Sequence, residues 1–187
     1  YQHWFGEMPE SMAANAEDTV IATLQFEGGT IGQWTSFQAA HGKSHNHATI
    51  YGDSGSLELA GARNGRPVAL TLDEGGPIPT DALLSLVPEF HLDEITAALF
   101  GADRLASYDC SFPEADRKLV AVEYHELGEC ILKGRQPEVD AAVSRASLAV
   151  CHAALESATL HRPVTLAEIE QEQTAVYEAS IREHWGL

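Results

Sequence analysis

The sequence predicts an α+β fold, an open and mostly antiparallel β-sheet with helices packed on one face and the other face available for oligomerisation. Three observations carry that prediction. Residues 18–59 alternate apolar and polar side chains at period two, with β-branched and aromatic residues frequent and glycine pairs between the runs. Residues 114–183 carry apolar side chains at helical spacing instead. Strands come first and helices afterwards, which is the order of an antiparallel sheet with helices laid on it rather than of a wound parallel sheet.

Five strands follow from the alternation, over Thr19–Phe26, Thr30–Ala40, Ser44–Tyr51, Ser56–Ala60 and Val68–Asp73. Turns are expected at Gly28-Gly29, at Gly42, at Asp53-Ser54-Gly55 and at Asn64-Gly65, the last being a strong hairpin signal. In the first strand Val20, Ala22, Leu24 and Phe26 share a face, and Thr19, Ile21, Thr23 and Gln25 share the other. That second face mixes threonine and glutamine with Ile21, a semi-apolar surface suited to a partner.

Upstream, residues 1–8 read as the end of a helix stopped at Gly6 and Pro9, and Glu10–Asn15 as a short strand leading into the sheet. Between Glu74 and Phe112 the breaker cluster Gly75-Gly76-Pro77-Ile78-Pro79 precedes a helix from Thr80 through Val87. A second helix is expected over Leu92–Phe100 and a returning strand over Arg104–Phe112. A long helix spans Glu114–Lys133, with Val120, Tyr124, Leu127 and Ile131 in one stripe and Gly134 as its stop. The next, Val139–Leu160, carries Ala142, Ala146, Ala149, Ala153 and Ser157, small enough for close packing against a neighbour. Thr165 and Glu168 form a capping box for a third, Leu166–Glu183.

At 187 residues the chain is the size of a single domain, and 44% hydrophobic with 21% charged residues is the composition of a folded protein. The formal charge of −17, with only three lysines, repels phosphate backbones and anionic membranes, so neither nucleic acid nor a membrane is expected as a partner. Cys110, Cys130 and Cys151 are an odd number without CxxC spacing, which argues against a disulfide framework and a thiolate zinc site and for a cytoplasmic location.

Few residues carry chemistry by pattern. His41, His45 and His47 cluster at a corner of the strands, where a metal site is conceivable. No carboxylate but Asp53 stands at ligand spacing, so the adopted reading is polar residues on a turn or lining a wet cleft, with no metal. A hydrolase or isomerase built on the three histidines is the competing reading and requires a bound divalent ion. Cys151 and His152 are neighbours on a helix and diverge, so Cys151 is read as a core residue rather than a nucleophile. Glu123 and Glu126, flanking His125, are read as a solvated helix face. Gly52-Asp53-Ser54-Gly55 follows a strand without opening a helix and is read as a hairpin turn rather than a phosphate loop. No GxGxxG, Walker or GxSxG pattern occurs.

Three groups of residues together resemble a known family. Glu17-Asp18-Thr19 through Phe26-Glu27-Gly28-Gly29-Thr30 is similar to the opening of the C-terminal domain of the Gfo/Idh/MocA oxidoreductases. Ile50-Tyr51-Gly52-Asp53-Ser54-Gly55-Ser56-Leu57 resembles that family's I-x-G-(T/D)-x-G-x-L segment. Gly134 to Pro137, Ala153 to Ala158 and Arg162-Pro163-Val164 resemble its close. The resemblance implies a two-domain enzyme whose Rossmann half binds NAD or NADP and carries the Lys-Pro motif and the relay Asp and His. It implies a C-terminal half that closes the substrate site and forms dimers or tetramers through its open sheet face.

This chain carries no Rossmann fingerprint, and none of its eight prolines follows a lysine. The expectation is therefore a single C-terminal substrate-binding and oligomerisation domain over residues 1–187, with the Rossmann domain outside this chain and no catalytic, metal or cofactor residue within it. By that resemblance the substrate is a sugar, cyclic polyol or related hydroxy compound, oxidised or reduced by hydride transfer. Trp34, Gln38, His41 and His45 are the expected substrate-facing residues, Trp34 offering a flat apolar face and the others hydrogen-bonding groups. The alternative reading is a non-catalytic dimeric binding or assembly module.

Overall fold

A computed structural model gives the structure of the chain and describes residues 17–38, 42, 46–61 and 63–186. Among these residues the elements run β1 (Thr19–Gln25), β2 (Ile31–Phe37), β3 (Ala48–Tyr51), β4 (Gly55–Leu59), β5 (Ala69–Leu72) and β6 (Gly76–Pro77). They continue as α1 (Thr80–Leu86), α2 (Glu94–Phe100), α3 (Phe112–Lys133), α4 (Ala141–Leu160), α5 (Leu166–Glu170) and α6 (Ala179–Trp185). The class is α+β and every strand pair is antiparallel, as predicted. The strands form two sheets, β1-β2 and β3-β4-β5-β6. The helix expected in residues 1–8, the strand expected over 10–15, and His41 and His45 lie outside the described residues. Contacts divide the chain into two compact units, residues 1–44 with 149–187, and residues 45–148.

In the first unit β1 and β2 pair from Thr19↔Phe37 to Gln25↔Ile31. Phe26 N donates to Thr30 O (3.0 Å) and Gly29 N to Phe26 O (2.9 Å) to close the turn. Gly29 takes φ 83 there, a backbone conformation that a Cβ penalises. Burial alternates as the sequence does. Val20, Ala22, Leu24, Gly32, Trp34 and Ser36 are half-buried, while Thr19, Ile21, Thr23, Gln25, Ile31, Gln33, Thr35 and Phe37 are exposed.

The helix expected over Leu166–Glu183 does not run through. It starts on the predicted capping box, Glu168 N bonding Thr165 Oγ1 at 3.2 Å and Thr165 N bonding Glu168 Oε2 at 2.9 Å, and α5 then ends at Glu170. Glu172 sits at φ 53, and α6 begins only at Ala179. The cause is a carboxylate on α4. Glu156 accepts from Val176 N (2.7 Å), Tyr177 N (2.8 Å) and the Thr174 hydroxyl, so two amides that a continuous helix would point at preceding carbonyls turn toward a side chain instead.

In the second unit the β3-β4-β5 ladder lines Ile50, Leu57 and Leu70 up on one face. The 52–55 segment is the hairpin turn that was expected, closed by Gly52 N to Gly55 O at 2.9 Å. Asn64-Gly65 is not a two-residue hairpin, since β4 ends at Leu59 and β5 starts at Ala69. Gly65 serves a close approach instead: at φ 67, a Cβ on it would lie 2.0 Å from Tyr108 O.

The strand expected over Arg104–Phe112 is not formed. Tyr108 N reaches Gly65 O (3.0 Å), and no ladder continues from that bond. The Arg104 guanidinium holds the segment instead, donating to Leu84 O (2.7 Å), Val87 O (2.9 Å) and Phe90 O (2.9 Å), carbonyls at and beyond the end of α1. Asp93 caps α2 through Ile95 N and Thr96 N. α3 ends on Gly134 in the left-handed region, as predicted. The predicted apolar stripe is present on α3 but uncovered, with Tyr124 and Ile131 each 73% exposed, while Ala115 and Cys130 are its buried residues.

Candidate functional site

Of the four expected substrate-facing residues, the structure describes Trp34 and Gln38. Trp34 lies on β2 opposite Ala22, half-buried beside Val20 and Leu24. Gln38 follows the strand directly. Its amide donates to Asp18 O (2.7 Å), closing the open end of the hairpin, and its Nε2 donates to Ser36 Oγ (3.1 Å). Trp34 and Ser36 share a face of β2 at i and i+2, and Gln38, exposed just past the strand, joins them through its bond to Ser36, so an indole, a hydroxyl and a carboxamide follow one another. Ser36 was not anticipated, although its place in the alternation, two residues from each of the others, was readable. His47, exposed before β3, lies in the other unit. Among the described residues no group of three or more His, Cys, Asp or Glu is arranged to hold a metal.

A second polar cluster gathers on α4 and the segment after α5. His152 Nδ1 lies 2.8 Å from Glu178 Oε1, and Arg182 Nε donates to Glu178 Oε2 at 3.2 Å. With Glu156, Glu172 and Thr174 they line a cavity of about 40 Å³, room for a few waters. Glu156 is 2% exposed. Burial pushes its pKa up, and the Thr174 hydroxyl with the Tyr177 and Val176 amides more than reverses that, leaving it below the ordinary value. Tyr177 OH donates to Glu17 Oε2 (2.6 Å), and that bond to a carboxylate raises the phenol's pKa. This cluster orders a chain segment, with the Glu156 and Glu178 carboxylates engaged by donors of their own. Cys151, expected in the core, is exposed; the buried thiol is Cys130.

The residues of the family-like close do structural work as well. Ser157 Oγ donates to Arg162 O (2.7 Å) past the end of α4, and Arg162 Nη2 holds Glu168 Oε1 (2.7 Å), the acidic half of the capping box. Glu126, expected on a solvated face, is a hub. It accepts both guanidinium arms of Arg135, the Cys130 thiol (3.3 Å) and Glu138 N (3.2 Å), tying the chain beyond Gly134 back onto α3. Arg135 first, then Cys130, hold its carboxyl down at about 2. Sequence spacing did not reveal this hub, because Arg135 reaches Glu126 only after the chain reverses at Gly134.

The second unit holds a larger cavity of about 250 Å³, lined by Arg66, Leu92, Thr96, Phe100, Tyr108 and Leu119 among others. The Phe100 and Tyr108 rings meet there with centroids 4.8 Å apart at 55°. It is built almost wholly from the stretch between Glu74 and Phe112, with Gly65-Arg66 and α3 closing it.

Residues 1–166 match the family described as "Oxidoreductase family, C-terminal alpha/beta domain", the C-terminal domain of the Gfo/Idh/MocA oxidoreductases. The match spans most of the 187 residues, and the chain belongs to this family. Among curated proteins and solved structures nothing matches it. No helix among the described residues is long and apolar enough to cross a membrane.

Proposed function

We propose that this chain is the substrate-side and oligomerisation domain of an enzyme that transfers a hydride between NAD or NADP and a sugar, cyclic polyol or related hydroxy compound. The observation that carries the reading is the row Trp34, Ser36 and Gln38. An indole face beside a hydroxyl and a carboxamide is the pairing a ring bearing hydroxyls requires, apolar contact for its C–H face and hydrogen bonds for its oxygens. His41 and His45 follow directly in the chain and add two further hydrogen-bonding groups to the proposed set.

The cofactor supplies the hydride donor or acceptor, and the protein supplies position. This sequence offers no glycine-rich turn from strand to helix for a pyrophosphate, so the reading assigns the cofactor to a Rossmann domain outside this chain. Assembly into a homodimer or tetramer is assigned to the hairpin face carrying Ile21, Ile31 and Phe37, which are 66%, 62% and 53% exposed. The acidic composition and three free cysteines support a cytoplasmic location.

The test is kinetic. In the complete enzyme, Gln38→Ala and His45→Ala should raise KM or lower kcat toward the hydroxy substrate, and unchanged kinetics in both would remove the assignment. The same exposed hairpin face favours a second reading, a dimeric module without catalysis. Sedimentation that finds a dimer, together with no nicotinamide response in the full-length protein, would select it.

A further inference from the structure

The cavity of the second unit is unusual in charge. The chain carries 28 acidic residues against 11 basic ones, yet the described lining of this cavity holds no carboxylate, and Arg66 is its one charged group. Other arginines are committed: Arg63 to Asp116, Arg135 to Glu126, Arg162 to Glu168, Arg182 to Glu178, and Arg104 to three carbonyls. Arg66 makes no such pair among the described residues. Arg66 is exposed, and its backbone amide donates to Asn64 Oδ1 (3.0 Å). Lys118, over the Phe100 ring at 5.3 Å, is held by Glu114 at 2.8 Å.

The rest of the lining sets the body of a ligand. Leu92, Phe100, Leu105, Ala106 and Leu119 are apolar and would leave a sugar's hydroxyls without partners. A cavity of about 150 Å³ takes a benzene, so about 250 Å³ takes one ring with a short substituent. A single guanidinium matches the one negative charge of a carboxylate and can engage it through two parallel bonds, whereas a phosphate's second charge would find no partner in this lining. Of the hydroxyls, Ser107 remains for the ligand, since Thr96 donates to the Asp93 carboxylate.

We propose that this cavity binds a small monocyclic aryl carboxylate, its ring against Phe100 and Tyr108 and its carboxylate on Arg66. The lining residues all belong to the second unit, and the proposal does not depend on the proposed dehydrogenase reading.

The experiment titrates phenylacetate into the intact protein and follows the ring resonances of Phe100 and Tyr108 by NMR, with phenylacetamide as the uncharged isostere. Phenylacetate should give saturable shifts at those rings, and the amide should bind about tenfold more weakly. Arg66→Gln should lose about as much, while Arg117→Gln, an exposed arginine on α3 outside the lining, should change affinity less than about twofold. The amide needs no mutation, so the test survives a variant that folds poorly. No saturable shift up to about 20 mM, the range appropriate to ligands this small, overturns the site. So does equal binding of acid and amide, an equal loss in Arg66→Gln and Arg117→Gln, or shifts that spare Phe100 and Tyr108.

Discussion

Removing the Glu156 carboxylate should loosen the segment between α5 and α6 before it affects anything else. Glu156 is 2% exposed and is the acceptor for two backbone amides and one hydroxyl, at Val176, Tyr177 and Thr174. Glu156→Gln keeps one carbonyl, which can serve Val176 and Thr174, and turns an NH₂ toward the Tyr177 amide. One buried donor then loses its acceptor and faces another donor, a cost of about 1–3 kcal/mol. Taking about 2 kcal/mol, amide exchange at Tyr177 should accelerate about 30-fold, and Tm should fall by about 4–8 °C for a chain of this size. Glu156→Ala orphans all three donors and should cost about 3–9 kcal/mol, less whatever water recovers. Hydrogen exchange at Val176 and Tyr177, measured beside a melt, reads both numbers. Unchanged protection at those two amides in Glu156→Gln would refute the account of why the helix breaks. The pH dependence has a definite sign. Because the folded pKa lies below the ordinary 4.5, the contribution is present above that value and is lost as pH falls through the lowered one.

Gly55→Ala should destabilise the β4-β5 ladder by about 1–3 kcal/mol, since a Cβ there would lie 2.2 Å from Thr71 O; urea unfolding checks it, and an unchanged midpoint would contradict the close approach. Glu126, held at about 2 chiefly by Arg135, contributes stability above the ordinary 4.5 that fades as pH falls toward 2. In Arg135→Gln its carboxyl should titrate nearer 4.5, which carbon-detected NMR reads directly, and a carboxyl still near 2 would assign the shift to Cys130 and Glu138 instead.

What was legible in the sequence was whatever depends on neighbours in the chain. The alternation in β1 and β2, the turn at Gly28-Gly29, the glycine stop at Gly134 and the Thr165–Glu168 capping box are contacts within a few residues, and each stands where the pattern put it. The misreadings lie where one distant side chain redirects a backbone. Glu156 breaks a segment 18–21 residues downstream, and Arg104 takes carbonyls 14–20 residues upstream, drawing the expected strand into a brace. Propensity over residues 166–183 is helical throughout and cannot register an acceptor that arrives from another helix. Asn64-Gly65 misled for a related reason. The left-handed backbone that suits a tight hairpin also suits a glycine pressed against Tyr108, and the dipeptide does not distinguish the two.

The stripe on α3 makes the same point about function. Val120, Tyr124, Leu127 and Ile131 fall at i, i+4, i+7 and i+11, and that spacing identifies an apolar face without saying what covers it. The residues α3 buries are Ala115 and Cys130, while Tyr124 and Ile131 remain 73% exposed. On the hairpin, Ile21, Ile31 and Phe37 are likewise exposed among threonines and glutamines. Each fully covered isoleucine or phenylalanine contributes about 1.5–3 kcal/mol that these faces forgo in the isolated chain. A domain that acts by closing against a cofactor domain and a second copy of itself has a reason to keep such faces uncovered. In the proposed reading those faces are the surfaces through which the chain would meet the rest of a larger enzyme.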